Sequence, residues 1–561
     1  TTAFLSLTAA VVFLVVGMHR VQVALDEAKT AQKQSETNLN LAIDAFEEIF
    51  DNISARGVPQ SMELDYAGAN LPPAQSVLTE ADAELLKTLL AFYEQFTIEN
   101  LDDDQLLIRN AAAYHRMGRI YQRLDQETEA EQALQKSSEI YESLATKYPE
   151  NSRLIVARVQ ILNDVGELYR SHSYFDLAVS QHHAAKQLID DLPKSLRELD
   201  ALQFEAARTL DMLGSIAIRS GVRNIVIEPV QDRPRRWSIF DNRDKDRPGL
   251  PLLNKRVNEN SKRKSEKQIL REVEQALEQA CEMLQALVQR NPEQTEYRLA
   301  LAQANRHMLA HALMIGKSER AELAFQTAKK TLNQLVEDYP DNPTYLFELA
   351  DTLSLASTRL PSVTSTEMAI GYLRQSLNHA NRLTGMFPLV PEYQSLLVSI
   401  YSQYAIVEQA ERRWENAWQY DSEAQRIARI LAADYPHQSA FQISRFMMEK
   451  QTADLSREIG MDQNDSELIS DSIKQLEQAI SDFETYRAEQ KENLLFDRIT
   501  SGLYVSLAES HRAAGDYIEA ALAIAEARAY SEEPLRGGPF DRFGPRQSFD
   551  EADVQKNVPP Q

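Results

Sequence analysis

Glu129–Asn151, EAEQALQKSSEIYESLATKYPEN, decides the reading of the fold, because the chain repeats it. It returns as EVEQALEQACEMLQALVQRNPEQ at Glu272–Gln294, as RAELAFQTAKKTLNQLVEDYPDN at Arg320–Asn342, and as NAWQYDSEAQRIARILAADYPHQ at Asn416–Gln438. Each copy has an early small residue, apolar residues at helical spacing, and a closing proline: Pro149, Pro292, Pro340 and Pro436. Pro388 falls midway between the last two, so the steps 292→340→388→436 are equal. A fixed period of this kind predicts an all-α solenoid, whose units cannot bury their apolar faces alone and therefore stack.

Composition agrees. The 561 residues include 43% hydrophobic and 8% aromatic residues, as a folded chain requires. Only 17 glycines argue against β-rich or dinucleotide-binding architectures, which need glycine at their turns. With 84 acidic against 60 basic residues the formal charge is −24, which disfavours general affinity for nucleic acid, since phosphate binding needs a basic face. A single cysteine, Cys281, excludes an intrachain disulfide and a cysteine-based zinc cluster, and its place on an apolar helix face marks it as core.

Taken in order, residues 1–18 (TTAFLSLTAAVVFLVVGM) carry no charge and are just long enough for a transmembrane helix, truncated if the true segment begins upstream. That reading is favoured over a signal peptide, because no basic region precedes the run and no small-x-small site follows it. Residues 19–56 read as a polar helical stalk that turns amphipathic at Leu39, Ile43, Phe46 and Phe50. Gly57-Val58-Pro59 and Leu71-Pro72-Pro73 break it, and 57–105 are expected to hold loops and a capping helix near Ala81–Glu99. Helical units are expected over 106–221 and 268–530, with an insert at 222–267 and a Gly/Pro-rich tail at 531–561 that is expected to be disordered.

Within AAAYHRMGRIYQRLDQETEAEQAL, Tyr114, Met117, Gly118, Tyr121 and Ala130 stand at the key positions of a tetratricopeptide repeat, and the array resembles that family. The resemblance implies a right-handed superhelix of helical hairpins, in which the small residues let the two helices approach closely. Leu162, Val165, Gly166, Tyr169 and Ala178 repeat the pattern one period later, and Leu210, Leu213 and Gly214 begin it again. Later copies are looser: Gly316 and Ala321 keep the turn and the close contact, while Leu309 replaces the glycine. Ser439–Asn493 is helical and apolar-periodic but matches poorly, and Tyr504, Leu507, Ala508, Gly515 and Ala520 close the array at about eight hairpins. The period exceeds the roughly 34 residues usual in the family, which we expect to reflect second helices running on toward their prolines.

One unit is interrupted. Ala111 and Pro149 bound a unit of ordinary length, whereas the stretch from Ala207 to Pro292 is more than twice as long, and the surplus lies between the two helices. This insert has four prolines and an excess of basic residues. It reads as a surface loop or, more sharply, as a docking segment anchored by Arg235, Arg236, Trp237 and Phe240.

Catalytic motifs are not found in this sequence: there is no phosphate-cradling glycine loop ahead of a helix, no G-x-S-x-G, no H-E-x-x-H and no H-R-D or D-F-G. His307 and His311 share a helix face but lack an evident third ligand, so neither metal nor cofactor is expected. Function is therefore expected in the concave groove, which in the family is lined by first helices. Family offsets map it to His115, Arg119, Gln122, Gln160, Asn163, Glu167, Arg170, Arg208, Asp211 and Arg306, a polar set suited to a peptide or protein ligand. Relatives that grip a C-terminal carboxylate use Lys, Asn, Asn, Lys and Arg at positions filled here by His115, Arg119, Asp164, Arg208 and Met212, so that clamp is not expected.

As a whole the chain resembles the C-terminal half of planctomycete-type bacterial serine/threonine protein kinases, through LTAAVVFLVVG in the span, NLNLAIDAFEEIF (Asn38–Phe50) and AAAYHRMGRIYQ (Ala111–Gln122). The resemblance implies a kinase domain upstream, a single membrane pass and an extracytoplasmic repeat region for sensing or docking. The alternative is a free-standing, membrane-tethered adaptor with no linked enzyme.

Overall fold

The computed structural model describes residues 80–94, 104–124, 126–171, 174–219, 266–360, 365–436, 438–488 and 494–530. The expected membrane helix and stalk, the tail, and nearly all of the insert with Arg235, Arg236, Trp237 and Phe240 lie outside them. Among the described residues no helix is long and apolar enough to cross a membrane.

These residues are all-α. Helix α1 (Glu80–Glu94) precedes eight hairpins: α2 (Asp104–Arg123) with α3 (Glu127–Lys147), α4 (Ser152–Ser171) with α5 (Phe175–Asp190), and, after the short α6 (Lys194–Arg197), α7 (Asp200–Arg219) with α8 (Glu266–Arg290). Next come α9 (Thr295–Met314) with α10 (Ser318–Asp338), α11 (Pro343–Arg359) with α12 (Thr366–Met386), and α13 (Pro391–Ala410) with α14 (Trp414–Asp434). The last two are α15 (Ser439–Gln463) with α16 (Ser466–Ala488) and α17 (Leu494–Ala514) with α18 (Tyr517–Ala529). Helices α7 and α8 pack as one hairpin although the insert separates them in the chain, so it interrupts a unit without breaking it. Helix α8 already begins at Glu266, just before the expected end of the insert.

Apart from the short α6, each helix packs on the next, and successive first helices (α2, α4, α7, α9, α11, α13, α15, α17) also touch one another. The first helices thus form the tighter, inner layer of the curve.

One expectation is corrected. The added length of the unit is shared: first helices such as α2, α4 and α9 run 20 residues against 21 for second helices such as α3 and α10. A second helix lengthened alone would overhang its partner and expose its own apolar face. The stretch from Ser439, expected to be helical though it matches the repeat poorly, forms a full hairpin with two of the longest helices in the array, 25 and 23 residues. Phe441, Phe446 and Phe483 bury there, and the close approach is made by Gly460, where an added Cβ would meet Ile469 at 2.8 Å.

The recurring prolines end the second helices by a local steric rule. The residue before proline is excluded from the α region, and Tyr148, Tyr339, Phe387 and Tyr435 accordingly cap their helices at φ −128°, −134°, −133° and −126°. The carbonyls of Tyr148, Tyr339 and Tyr435 then each accept from the amide three residues on, Asn151, Asn342 and Gln438, at 3.1 Å. Proline's fixed φ suits the second position of such a turn. In one unit the turn also caps the next helix, since the Asn342 side chain accepts from the amides of Thr344 and Tyr345.

Close approach within hairpins depends on the small residues. A Cβ at Gly118 would meet Leu134 at 2.6 Å, one at Gly214 would meet Leu277 at 2.6 Å, and one at Gly166 would meet the His182 ring at 2.6 Å. Ala130, Ala178, Ala321 and Ala520 are buried on the facing helices, and Tyr114 and Tyr169 pack in the same layers. Gly316 and Gly515 hold the tight turns at φ +74° and +88°. Tyr121 instead sits half-buried and donates to Glu94 at 3.1 Å, tying α2 to α1. Helix α1 closes the N-terminal end of the array, with Leu86, Leu89 and Tyr93 against Tyr114, Met117 and Ile120.

One turn beyond each small residue lies a buried slot, filled by Leu134, Leu277, Phe325 and Leu373 in four units. In two units it holds a polar group: His182, fully buried, and Asp421, 1% exposed.

Candidate functional site

The inner layer is polar as well as close-packed. A ladder of side-chain contacts crosses each of the seven junctions between neighbouring first helices. His115 Nε2 on α2 lies 2.7 Å from Asp164 Oδ2 on α4. Arg208 on α7 donates to Asp164 Oδ1 at 3.2 Å, and Asn163 Nδ2 donates to Glu205 Oε2 at 2.9 Å. His307 Nδ1 on α9 lies 2.8 Å from Asp211 Oδ1 on α7. Arg306 then donates to Asp351 on α11 at 3.0 Å and sits beside Glu348, which also accepts from Gln303 at 2.8 Å. Thr358 donates to Gln403 at 2.6 Å, Ser402 to Gln451 at 2.7 Å, and Ser506 to Asp454 at 3.0 Å, which carries the ladder to α17.

These pairings set the ionisation of the rungs. Burial alone would raise the Asp164 carboxyl, but the hydrogen bond from His115 and the charges of Arg208 and Arg119 outweigh it and hold the group below the usual carboxylate range. Burial likewise opposes ionisation of Glu167, yet Arg170, at 2.8 Å, lowers its carboxyl too. His182 lacks such a counterion in contact, and burial pushes it down to about 4. Its Nδ1 faces the Asn163 carbonyl at 3.1 Å, which also accepts from Thr209 at 3.0 Å, so the proton sits on Nδ1. Asp421 accepts from Gln451 at 2.9 Å and Thr452 at 2.6 Å, with no cation beside it among the described residues, and burial pushes it up to about 6.

The ladder sorts the residues expected in the groove. Asn163, Arg170, Asp211 and Arg306 are at most 5% exposed, so they form the floor beneath the surface. Arg119 is exposed, while His115, Gln122, Gln160, Glu167 and Arg208 are half-buried, so these six carry the accessible polar atoms of units 1–3. The side-chain amide nitrogen of Gln122 is itself enclosed, with no hydrogen-bond partner among the described residues. The partners that complete the rungs (Glu205, Glu348, Asp351, Gln403 and Gln451) were not singled out from the sequence. The signal was available: each lies 42–49 residues from its rung partner, close to one period. Asp421 could have been found in the same way, as an acidic residue in a leucine slot.

Among the described residues no group of three His, Cys, Asp or Glu side chains could hold a metal ion. His307 is committed to Asp211, and both His311 ring nitrogens are enclosed without hydrogen-bond partners. Cys281 is half-buried between two apolar clusters, and burial pushes its thiol up to about 12, which suits packing rather than nucleophilic chemistry.

The family model described as tetratricopeptide repeat matches residues 312–342, which run from the end of α9 through Gly316 and α10 to the turn at Pro340. No curated protein matches the chain. Among solved structures, BtubC from P. vanneervenii is 17% identical at a TM-score of 0.32, over 50% of this chain and 96% of that one. Aspartyl phosphate phosphatase F from Bacillus subtilis is 11% identical at 0.38, over 82% and 97%. The Rap conjugation gene regulator of plasmid pLS20, solved in complex with the Phr* peptide, is 10% identical at 0.35, over 80% and 94%. TM-scores this low carry no argument about ligand or activity. The repeat match and the paired helices together make this a helical-repeat protein that contains a tetratricopeptide repeat.

Proposed function

We propose that this chain is a protein-interaction scaffold whose inner layer of first helices holds a polar peptide or protein segment. The observation that carries the reading is the continuous first-helix layer, whose buried ladder fixes the curve while Arg119, Gln160 and Arg208 stay accessible on units 1–3. A mixed-charge surface of this kind suits hydrogen-bonded recognition of a polar segment better than capture of an apolar ligand. A photo-crosslinking residue at Arg119 or Gln160 should capture a partner that the same residue at Leu323, 67% exposed on α10, does not. Arg119→Glu should weaken that capture at least about tenfold with the helical content unchanged. Equal capture from both positions would remove the groove as the binding face.

The wider reading is that the array is the sensing or docking half of a membrane-anchored bacterial serine/threonine protein kinase. In it the apolar residues 1–18 span the membrane once and the array lies outside the cytoplasm. The segments Asn38–Phe50 and Ala111–Gln122 support it by their likeness to that class. A kinase fold with H-R-D and D-F-G motifs encoded ahead of Thr1 would bear this out, and a start codon there would overturn it. Protease digestion of the array in intact cells with a permeabilised outer envelope tests the orientation.

A further inference from the structure

The last helix differs from every other second helix on its outer side. Two residues before the buried position equivalent to Ala130, the other seven units place Thr128, Asp176, Arg271, Glu319, Glu367, Glu415 and Glu467, all polar. In α18 that position is Ile518, 72% exposed, followed on the same stripe by Ala521, Leu522 (56% exposed) and Ala525. An end unit of a solenoid ordinarily turns a polar outer face to water. The N-terminal end has its cover in α1, and α18 presents its stripe with nothing described against it.

We propose that Leu535–Phe549 of this same chain folds back over α18 and covers the stripe. Reach permits it: the tail leaves at Tyr530, and ten residues extend up to about 33 Å, whereas Ile518 lies only about 18 Å back along the helix. Chemistry favours it. LRGGPFDRFGPRQSF alternates Leu535, Phe540, Phe543 and Phe549 with Arg536, Arg542 and Arg546, and the stripe is flanked by the exposed carboxylates Glu519 and Glu526. Gly537-Gly538-Pro539 supplies the reversal that an antiparallel return needs. Size decides against a second copy. A helix of 13 residues offers about 200 Å² on one face, far below the roughly 800 Å² per partner that a stable dimer buries. A tethered segment is present at millimolar effective concentration, so a weak apolar contact is enough to hold it.

The test is hydrogen exchange with mass spectrometry on the full chain, alongside light scattering. Peptides covering 517–529 and 535–549 should both exchange several-fold more slowly than in the Phe540→Ser/Phe543→Ser variant, with the chain monomeric. These phenylalanines lie outside the array, so the variant leaves its core intact. From the other side of the contact, Ile518→Glu should release protection in 535–549 while α17 keeps its own. Unchanged exchange in either variant overturns the proposal. So does a dimer whose dilution speeds exchange in α18, because a second copy would then be the cover.

Discussion

Asp421→Asn should make this protein more stable at neutral pH, an unusual outcome for a substitution at a buried charge. The carboxylate occupies a slot that is leucine or phenylalanine in four other units and is 1% exposed. It accepts from Gln451 and Thr452, and no cation lies beside it among the described residues. Titrating near 6 instead of at its ordinary 3.8, it costs the folded state about 3 kcal/mol once ionised. The folded chain holds this proton more tightly than the unfolded chain does. The penalty is therefore absent below about pH 4, grows between 4 and 6, and is complete above 6. Asparagine is the same size and carries no charge. Its oxygen can accept from Gln451, and its amide can donate to the Thr452 hydroxyl, which keeps its own bond to the Met448 carbonyl at 2.9 Å. The gain at pH 7.5 should be about 1–3 kcal/mol, read as slower amide exchange across α13–α15. Local exchange is the right measure, because long repeat arrays need not unfold in one step. At pH 4 the two proteins should be equally stable. A difference that is nil at pH 7.5, or that is constant from pH 4 to 7.5, would refute the reasoning.

His182 should show the opposite slope. Its ring is depressed from 6.5 to about 4, so the unfolded chain takes up the proton first and stability is lost as pH falls through that interval. His182→Leu, which restores the residue of the equivalent slots, should flatten the acid limb of a melting-temperature profile between pH 6.5 and 4. Gly214→Ala drives a methyl to within 2.6 Å of Leu277 and should cost about 1–3 kcal/mol by overpacking, seen as a lower urea midpoint. Arg306→Ala removes a buried cation shared by Glu348, 1% exposed, and Asp351, and should loosen the α9–α11 junction by about 2–3 kcal/mol, measured by exchange in α11.

How much was legible follows from where each determinant lies along the chain. Helix ends were readable, because Pro149, Pro340 and Pro436 act on the residue next to them. The hairpin contact was readable at Gly118, Gly166 and Gly214, because a constant period aligned each with its partner helix. The contact was not readable at Ser439–Asn493, where Phe441, Phe446 and Phe483 fill the core and the close approach falls at Gly460 against Ile469, off the periodic position. In the groove, residue type suggested a polar surface, but type does not separate a rung from an accessible donor. Asn163 and Gln160 lie three positions apart on one helix, yet the first is fully buried and the second is not.

The sequence by itself determined an all-α array, its period, its turns, and the interrupted third unit, because helix periodicity and proline sterics are local. Only the tertiary structure decided that seven junctions are bridged by polar pairs and that Asp421 is buried without a cation among the described residues. The same holds for the uncovered outer stripe of α18. Burial and pairing depend on which side chain a residue meets one full unit away: the period marks the candidates, and only packing decides which of them meet.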